Sequence, residues 1–221
     1  MSETMSLTRV LSEIKMLKKR ITKAIQEGTF IGMSKGIADS RKVYGMRTQE
    51  TVSDFETRIK ANGQQVKDLI NRFESLRVAL IRTNSATVIT DSSVVVKLGG
   101  ETMTIAEAID KKLIMEYKKS YLHVIRQQYS TVSSSIESAN YTLNQEIEKA
   151  LTIAYANDKS KVSAEQYSAI AEPRKKEHEA AAIDPLGLLN MISSFEEEIE
   201  LFTTELDFTL SEINARTQVQ I

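Results

Sequence analysis

The chain contains no cysteine, which excludes disulfides, thiolate nucleophiles and cysteine-based zinc sites together and leaves the redox compartment open. Histidine occurs only as His123 and His178, too few to furnish a histidine-rich metal site or a Ser-His-Asp triad with spare candidates. Proline is as scarce, at Pro173 and Pro185 only, and four of the eight glycines fall between Gly28 and Gly45. Helix breakers are therefore rationed, and long helices are expected. Apolar runs such as Val94 to Val96 and Ala180 to Ile183 stop far short of the ~20 residues that a membrane-spanning helix needs. The first twenty residues are charged and amphipathic, without the apolar centre and cleavage site of an export signal. A virion or cytoplasmic protein, neither secreted by a signal peptide nor transmembrane, is expected. Excess charge is also missing: 29 Lys and Arg stand against 30 Asp and Glu, so the whole-chain footprint of a dedicated nucleic-acid binder is absent.

What the sequence does contain is periodicity. Leu7, Val10, Ile14, Leu17, Ile21 and Ala24 are spaced three or four residues apart, a coiled-coil seam that predicts a first helix ending near Glu27. Residues 28–46 have no helical period and read as a glycine-rich loop or ribbon insert. Val52, Phe55, Ile59, Asn62, Val66, Leu69, Phe73, Leu76 and Leu80 then keep 3-4 spacing without a miss, which predicts a second helix over about 48–83. Asn62 is the one polar seam position; followed by Gly63, it reads as a solvated kink ahead of a register-fixing residue. Residues 86–103 hold two β-prone runs joined by Gly99-Gly100, a hairpin pattern.

Thr104 with Glu107 forms a capping box that opens the third helix, and Ser163 with Gln166 forms another that opens a short segment ending near Pro173. Asp184 before Pro185 reads as an N-cap followed by an N1 proline. From there Leu188, Ile192, Phe195, Ile199, Phe202, Leu206, Thr209 and Ile213 carry the last helix. Charge is divided unevenly: from Leu7 to Gln26 there are six bases (Arg9, Lys15, Lys18, Lys19, Arg20, Lys23) and one acid, Glu13. From Leu188 to Ile213 there are seven acids (Glu196, Glu197, Glu198, Glu200, Glu205, Asp207, Glu212) and no base. Placing the first and last helices side by side would relieve both self-repulsions.

Candidate chemical sites fail on geometry. His178 with Glu177 and Glu179 cannot form a zinc set, because adjacent residues do not share a helix face. Glu196 to Glu198 flank seam residues and face outward. The Gly28 to Gly36 stretch lacks the Gly-Lys-Ser/Thr ending of a phosphate-binding loop. Tyr117 and Tyr121, near Lys118, Lys119 and Arg126, mark the one place for a base-stacking patch.

Several short pieces, in order, resemble the septicolysin family, small coiled-coil proteins of bacteria and their phages whose activity is poorly defined. They are Leu11 to Ile21, Leu80-Ile81-Arg82-Thr83-Asn84, Thr104 to Ile109, Ile183 to Leu186, and Glu205 to Asp207 through Ile213 to Ala215. The Arg82-Thr83-Asn84 motif is the most specific of them. The chain departs from the family in its glycine-rich insert and in Arg216-Thr217-Gln218, where the family tends to an aromatic residue. The resemblance implies a coiled-coil protein and, through phage-borne relatives, a virion setting.

Together these readings predict a mainly α fold, an elongated antiparallel bundle or coiled coil of long helices forming a single domain, with a small β-hairpin or ribbon at one end. The expected function is non-enzymatic and structural, an oligomeric component of a larger complex such as the neck, collar, tail or baseplate of a tailed phage. Seam residues carry it, with homo-oligomerisation and other structural proteins as partners. No catalytic residue, cofactor or metal is expected, nor nucleic acid or membrane as partner. A membrane-active, septicolysin-like toxin and an uncharacterised enzyme at a subunit interface stand as alternatives.

Overall fold

The computed structural model describes residues 5–37, 41–45, 50–87, 95–98, 101–155 and 162–216. The fold is mainly α, with helices α1 (Leu7–Glu27), α2 (Val52–Thr87), α3 (Ile105–Ala154), α4 (Ala164–His178) and α5 (Leu188–Arg216). Strands β1 (Gly32–Lys35), β2 (Lys42–Val43) and β5 (Ala180–Ile183) form one antiparallel sheet in the order β2-β1-β5, and β3 (Val95–Leu98) pairs with β4 (Glu101–Thr104) in another. The chain packs as two compact units. The first comprises Met1–Gly28, Gly63–Val124 and Leu189–Ile221, and the second Thr29–Asn62 and Ile125–Leu188.

In the first unit each helix buries one stripe. α1 starts where the Ser6 hydroxyl accepts the Arg9 N–H and stops at Gly28, whose N–H donates to the Ala24 carbonyl at 3.1 Å. It buries Ile14, Leu17, Ile21 and Ile25. α2 contributes Val66, Ile70, Phe73 and Leu76, α3 contributes Ile114, Met115, Tyr121 and Leu122, and α5 contributes Ile199, Phe202 and Leu206, all buried. Phe73 meets the Tyr117 ring edge-on at 5.5 Å, and Tyr121 lies tilted against Phe195 at 5.8 Å. Both contacts bind α3 to its neighbours. The expected hairpin is present as β3–β4, and its Gly99-Gly100 turn lies outside the described residues, as do residues 88–94 before it. The capping box at the head of α3 forms as expected, Glu107 Oε2 accepting the Thr104 N–H at 2.9 Å and Thr104 Oγ1 accepting the Glu107 N–H at 3.2 Å.

The second unit differs from expectation in its β structure. The glycine-rich insert is not a ribbon by itself: its strand β1 pairs on one side with β2 and on the other with β5, from Ala180 to Ile183, a stretch with no strand signal of its own. A Cβ on Gly32 would collide with the ring of Phe55, so only glycine lets that buried ring close over β1. Phe55, Ile59 and Ile183 then form a core joined by Val43, Val52 and Leu186. A second cluster holds Leu143, Ile147, Leu151 and Ala171.

Side chains complete the backbone bonding of this small sheet. Ala180 of the edge strand gives its N–H to Asn140 Oδ1 at 2.8 Å, and its carbonyl accepts from Asn140 Nδ2 at 3.0 Å. The buried Ser34 hydroxyl accepts from Arg41 Nε at 2.9 Å and donates to the Ala181 carbonyl at 3.2 Å, while Arg41 also reaches the Ala182 carbonyl.

Three local expectations are corrected. Asn62 is not a solvated kink, because α2 runs through it unbroken and its amide donates to the Thr29 carbonyl at 3.0 Å. Pro173 does not end its helix: α4 runs through it to His178, at a position where Pro173 and Ala169 are both exposed. Pro185 is not an N1 residue either. Pro185 and Leu186 turn, Gly187 takes φ +65°, and α5 begins at Leu188, whose N–H the Asp184 carboxylate still caps at 2.8 Å.

The Gly32–Phe55 contact makes a sharp prediction. Gly32→Ala forces the ring from its seat and should destabilise the protein by roughly 1–3 kcal/mol, read as a lowered midpoint in urea unfolding; an unchanged midpoint would mean that the ring is not confined there.

Candidate interaction surfaces

The predicted seam residues fall on the buried side of their helices. Phe55, Ile59, Val66, Phe73, Leu76, Leu188, Ile199, Phe202 and Leu206 are buried, whereas Val52, Leu69, Leu80, Ile192 and Phe195 are half-buried. The side chain of Ile213 lies outside the described residues. Ile70 is buried where Leu69 was expected to be, because a straight helix turns 3.6 residues per turn and drifts ~20° from a strict heptad every seven residues. Ile25 displaces Ala24 on α1 for the same reason.

The family-like motif sits at the end of α2. Arg82 Nε donates to Glu107 Oε1 at 2.9 Å, and the Thr83 hydroxyl donates back to the Ala79 carbonyl at 2.9 Å. The side chain of Asn84 is outside the described residues. The Thr104 N–H holds the Glu107 carboxyl below the usual carboxylate range, with Arg82 adding to the effect and burial opposing it. One turn along, Arg77 forks onto Asp110, and that hydrogen bond raises the guanidinium above its ordinary value. Arg77 and Arg82 therefore act as links between α2 and α3.

The other charged links of the first unit join different pairs of helices from those expected. Glu13 of α1 binds Arg72 of α2 at 2.8 Å, and Glu198 of α5 binds Lys118 of α3. Among the described residues Lys18 and Lys19 form no ion pair, and Lys23 pairs only with Glu27 of its own helix at 3.7 Å. The described ion pairs thus leave most of the positive charge of α1 uncompensated.

The residues suited to stacking on bases are turned inward. Tyr121 is buried and Tyr117 is half-buried against Phe73, and burial raises both phenols above their ordinary range. Several large apolar side chains are exposed, among them Met16 at 50%, Leu201 at 53% and Phe208 at 67%. Leu201 and Phe208 are seven residues apart, opposite the buried face of α5. Their spacing is legible in the sequence, but they belong to no seam, and the pattern of Phe202 and Leu206 beside them is the stronger one.

The second unit carries an open groove of about 930 Å³. Its floor is one face of α3, with Ser130, Thr131, Ser134, Ser135, Ser138 and Thr142, and its rim holds Lys35, Tyr44, Glu146 and His178. Thr131, Ser135 and Thr142 each donate to a carbonyl one turn back along α3, at 2.9, 2.8 and 3.0 Å. A nucleophilic hydroxyl needs a base within about 2.6–3.2 Å, and these protons are committed to the backbone instead. Lys35 lies 4.3 Å over the Tyr44 ring, and exposed His178 is 3.7 Å from Glu177. Among the described residues no three His, Asp or Glu side chains lie close enough to hold a metal ion, and no helix is long and apolar enough to cross a membrane.

No protein-family model, curated protein or solved structure matches this chain.

The Glu107 cap carries a pH signature. Its folded pKa is lowered, so its stabilisation is present above the unfolded value of about 4.3 and is lost as pH falls through the lower folded value. Glu107→Ala should therefore cost about 0.5–1.5 kcal/mol near neutrality, and in thermal melts the gap to wild type should close as pH falls below the usual carboxylate range; a gap independent of pH would assign the cost to packing.

Proposed function

We propose that this protein is a non-enzymatic structural component that self-associates within a larger assembly, of the kind that builds the neck, collar, tail or baseplate of a tailed phage. The observation that carries the reading is the pair of large apolar side chains, Leu201 and Phe208, left in water one heptad apart on the outer face of α5. Isolated surface hydrophobics are ordinary, but apolar residues repeating at seven on one helix mark a face that gains by meeting another helix. The hydroxyls of the polar groove support the same reading, since those with assigned bonds serve helix carbonyls rather than a base. The virion setting rests on the likeness of Leu80 to Asn84 and the other ordered pieces to the septicolysin family.

In this reading packing matters and candidate catalytic residues do not. Phe73→Ala removes a fully buried ring and should cost roughly 3–5 kcal/mol, enough to unfold a domain of ordinary stability. His123→Ala and His178→Ala, both at exposed positions, should keep wild-type circular dichroism and wild-type mass by light scattering. A folded, correctly assembled His178→Ala protein that had lost biological activity would replace this reading with a chemical one.

A further inference from the structure

Two outward helix faces of the first unit share one geometry. On α1, Arg9, Ser12, Met16, Lys19, Lys23 and Gln26 are exposed and spaced 3-4-3-4-3, on the side away from Ile14, Leu17 and Ile21. On α5, Ser194, Glu197, Leu201, Thr204, Phe208 and Ser211 are exposed and spaced 3-4-3-4-3, on the side away from Ile199, Phe202 and Leu206. Each stripe spans seventeen residue steps, about 26 Å of helix. The two are equal in length, with Met16 on α1 and Leu201 and Phe208 on α5 set within polar runs.

Their charges are opposite, and part of each is unspent. Among the described residues Arg9 and Lys19 on this stripe, and Lys15 and Arg20 beside it, form no ion pair, and the single acid of α1, Glu13, is already bound to Arg72. On α5, Glu197 on the stripe and Glu200 and Asp207 beside it form none among the described residues, and the helix has no base from Leu188 to Ile213. Pairing either face with the same face of a second molecule would set like charges together. Pairing one with the other removes both excesses while covering Met16, Leu201 and Phe208.

We propose that the basic outer face of α1 in one copy docks on the acidic outer face of α5 in the next, a head-to-tail contact between identical chains. It rests on the assembly reading above and names the surfaces that carry it. Because the two faces differ, each molecule keeps one of each after binding, so the contact generates a ring if the rotation closes and a filament if it does not.

Sedimentation velocity on the full chain tests this. One variant removes the α1 face (Met16→Ser, Lys19→Ser, Lys23→Ser) and another removes the α5 face (Leu201→Ser, Phe208→Ser). Wild type should associate at low salt and weaken roughly tenfold or more on going from about 50 to 500 mM, as screening of exposed charges requires. Each variant alone should be a monomer with unchanged circular dichroism. Their equimolar mixture should form a 1:1 dimer and nothing larger, since each supplies the one face the other lacks. Phe202→Ala, which empties a buried site on the same helix, provides the signature of lost folding for comparison. A mixture that stays monomeric, or variants that associate as wild type does, overturns the contact; in the second case assembly itself stands and uses other surfaces. Wild type monomeric at every salt concentration overturns this contact and the self-association reading together.

Discussion

An α-helix advances 100° with every residue, and this fixed step governs which side chains of the protein meet one another. On α1 the step selects Ile14, Leu17, Ile21 and Ile25, at intervals of three, four and four, which keep one straight line of apolar surface where a strict heptad would wander. The same rotation places Phe73 against Tyr117 and brings Arg77 and Arg82 over Asp110 and Glu107. It also decides what stays outside. Once the inner stripe is fixed, Met16, Leu201 and Phe208 have no choice but to face solvent.

The second unit answers a different problem, that of holding a sheet of very short strands. β2 has two residues and β1 and β5 four each, too few for ladder bonds alone to be stable in water. Side chains from the helices supply what the strands lack. Asn140 closes both backbone groups of Ala180, Gln128 accepts the N–H of Phe30 at 2.9 Å, and Asn62 donates to the carbonyl of Thr29. Each of these polar side chains sits half-buried on a helix, where leaving a buried backbone group unpaired would cost about 1–3 kcal/mol.

Much of this was legible from residue order alone. The ends of α1, both capping boxes and the β3–β4 hairpin follow from signals within a few residues of each element, and local signals survive in the fold. Strand β5 did not announce itself, because Ala-Ala-Ala-Ile favours a helix by propensity and becomes a strand only through pairing with β1 about 150 positions earlier. Asn140 was equally silent: it sits in a polar stretch of α3, and its partner lies forty residues away. The charge imbalance of α1 and α5 could be counted from the sequence, but that the ion pairs of the folded unit would bypass Lys18 and Lys19 could not. The outer stripes lay in plain view at heptad spacing, hidden only by the stronger seams beside them.

The amide of Asn140 has one more consequence. β5 is an edge strand rich in alanine, without charge or proline. Such an edge is a template on which another extended chain can polymerise, layer upon layer. Asn140 occupies the hydrogen-bonding groups of Ala180, and Arg41 takes the carbonyl of Ala182. Two side chains thus occupy three backbone groups of β5 that another extended chain would need for pairing.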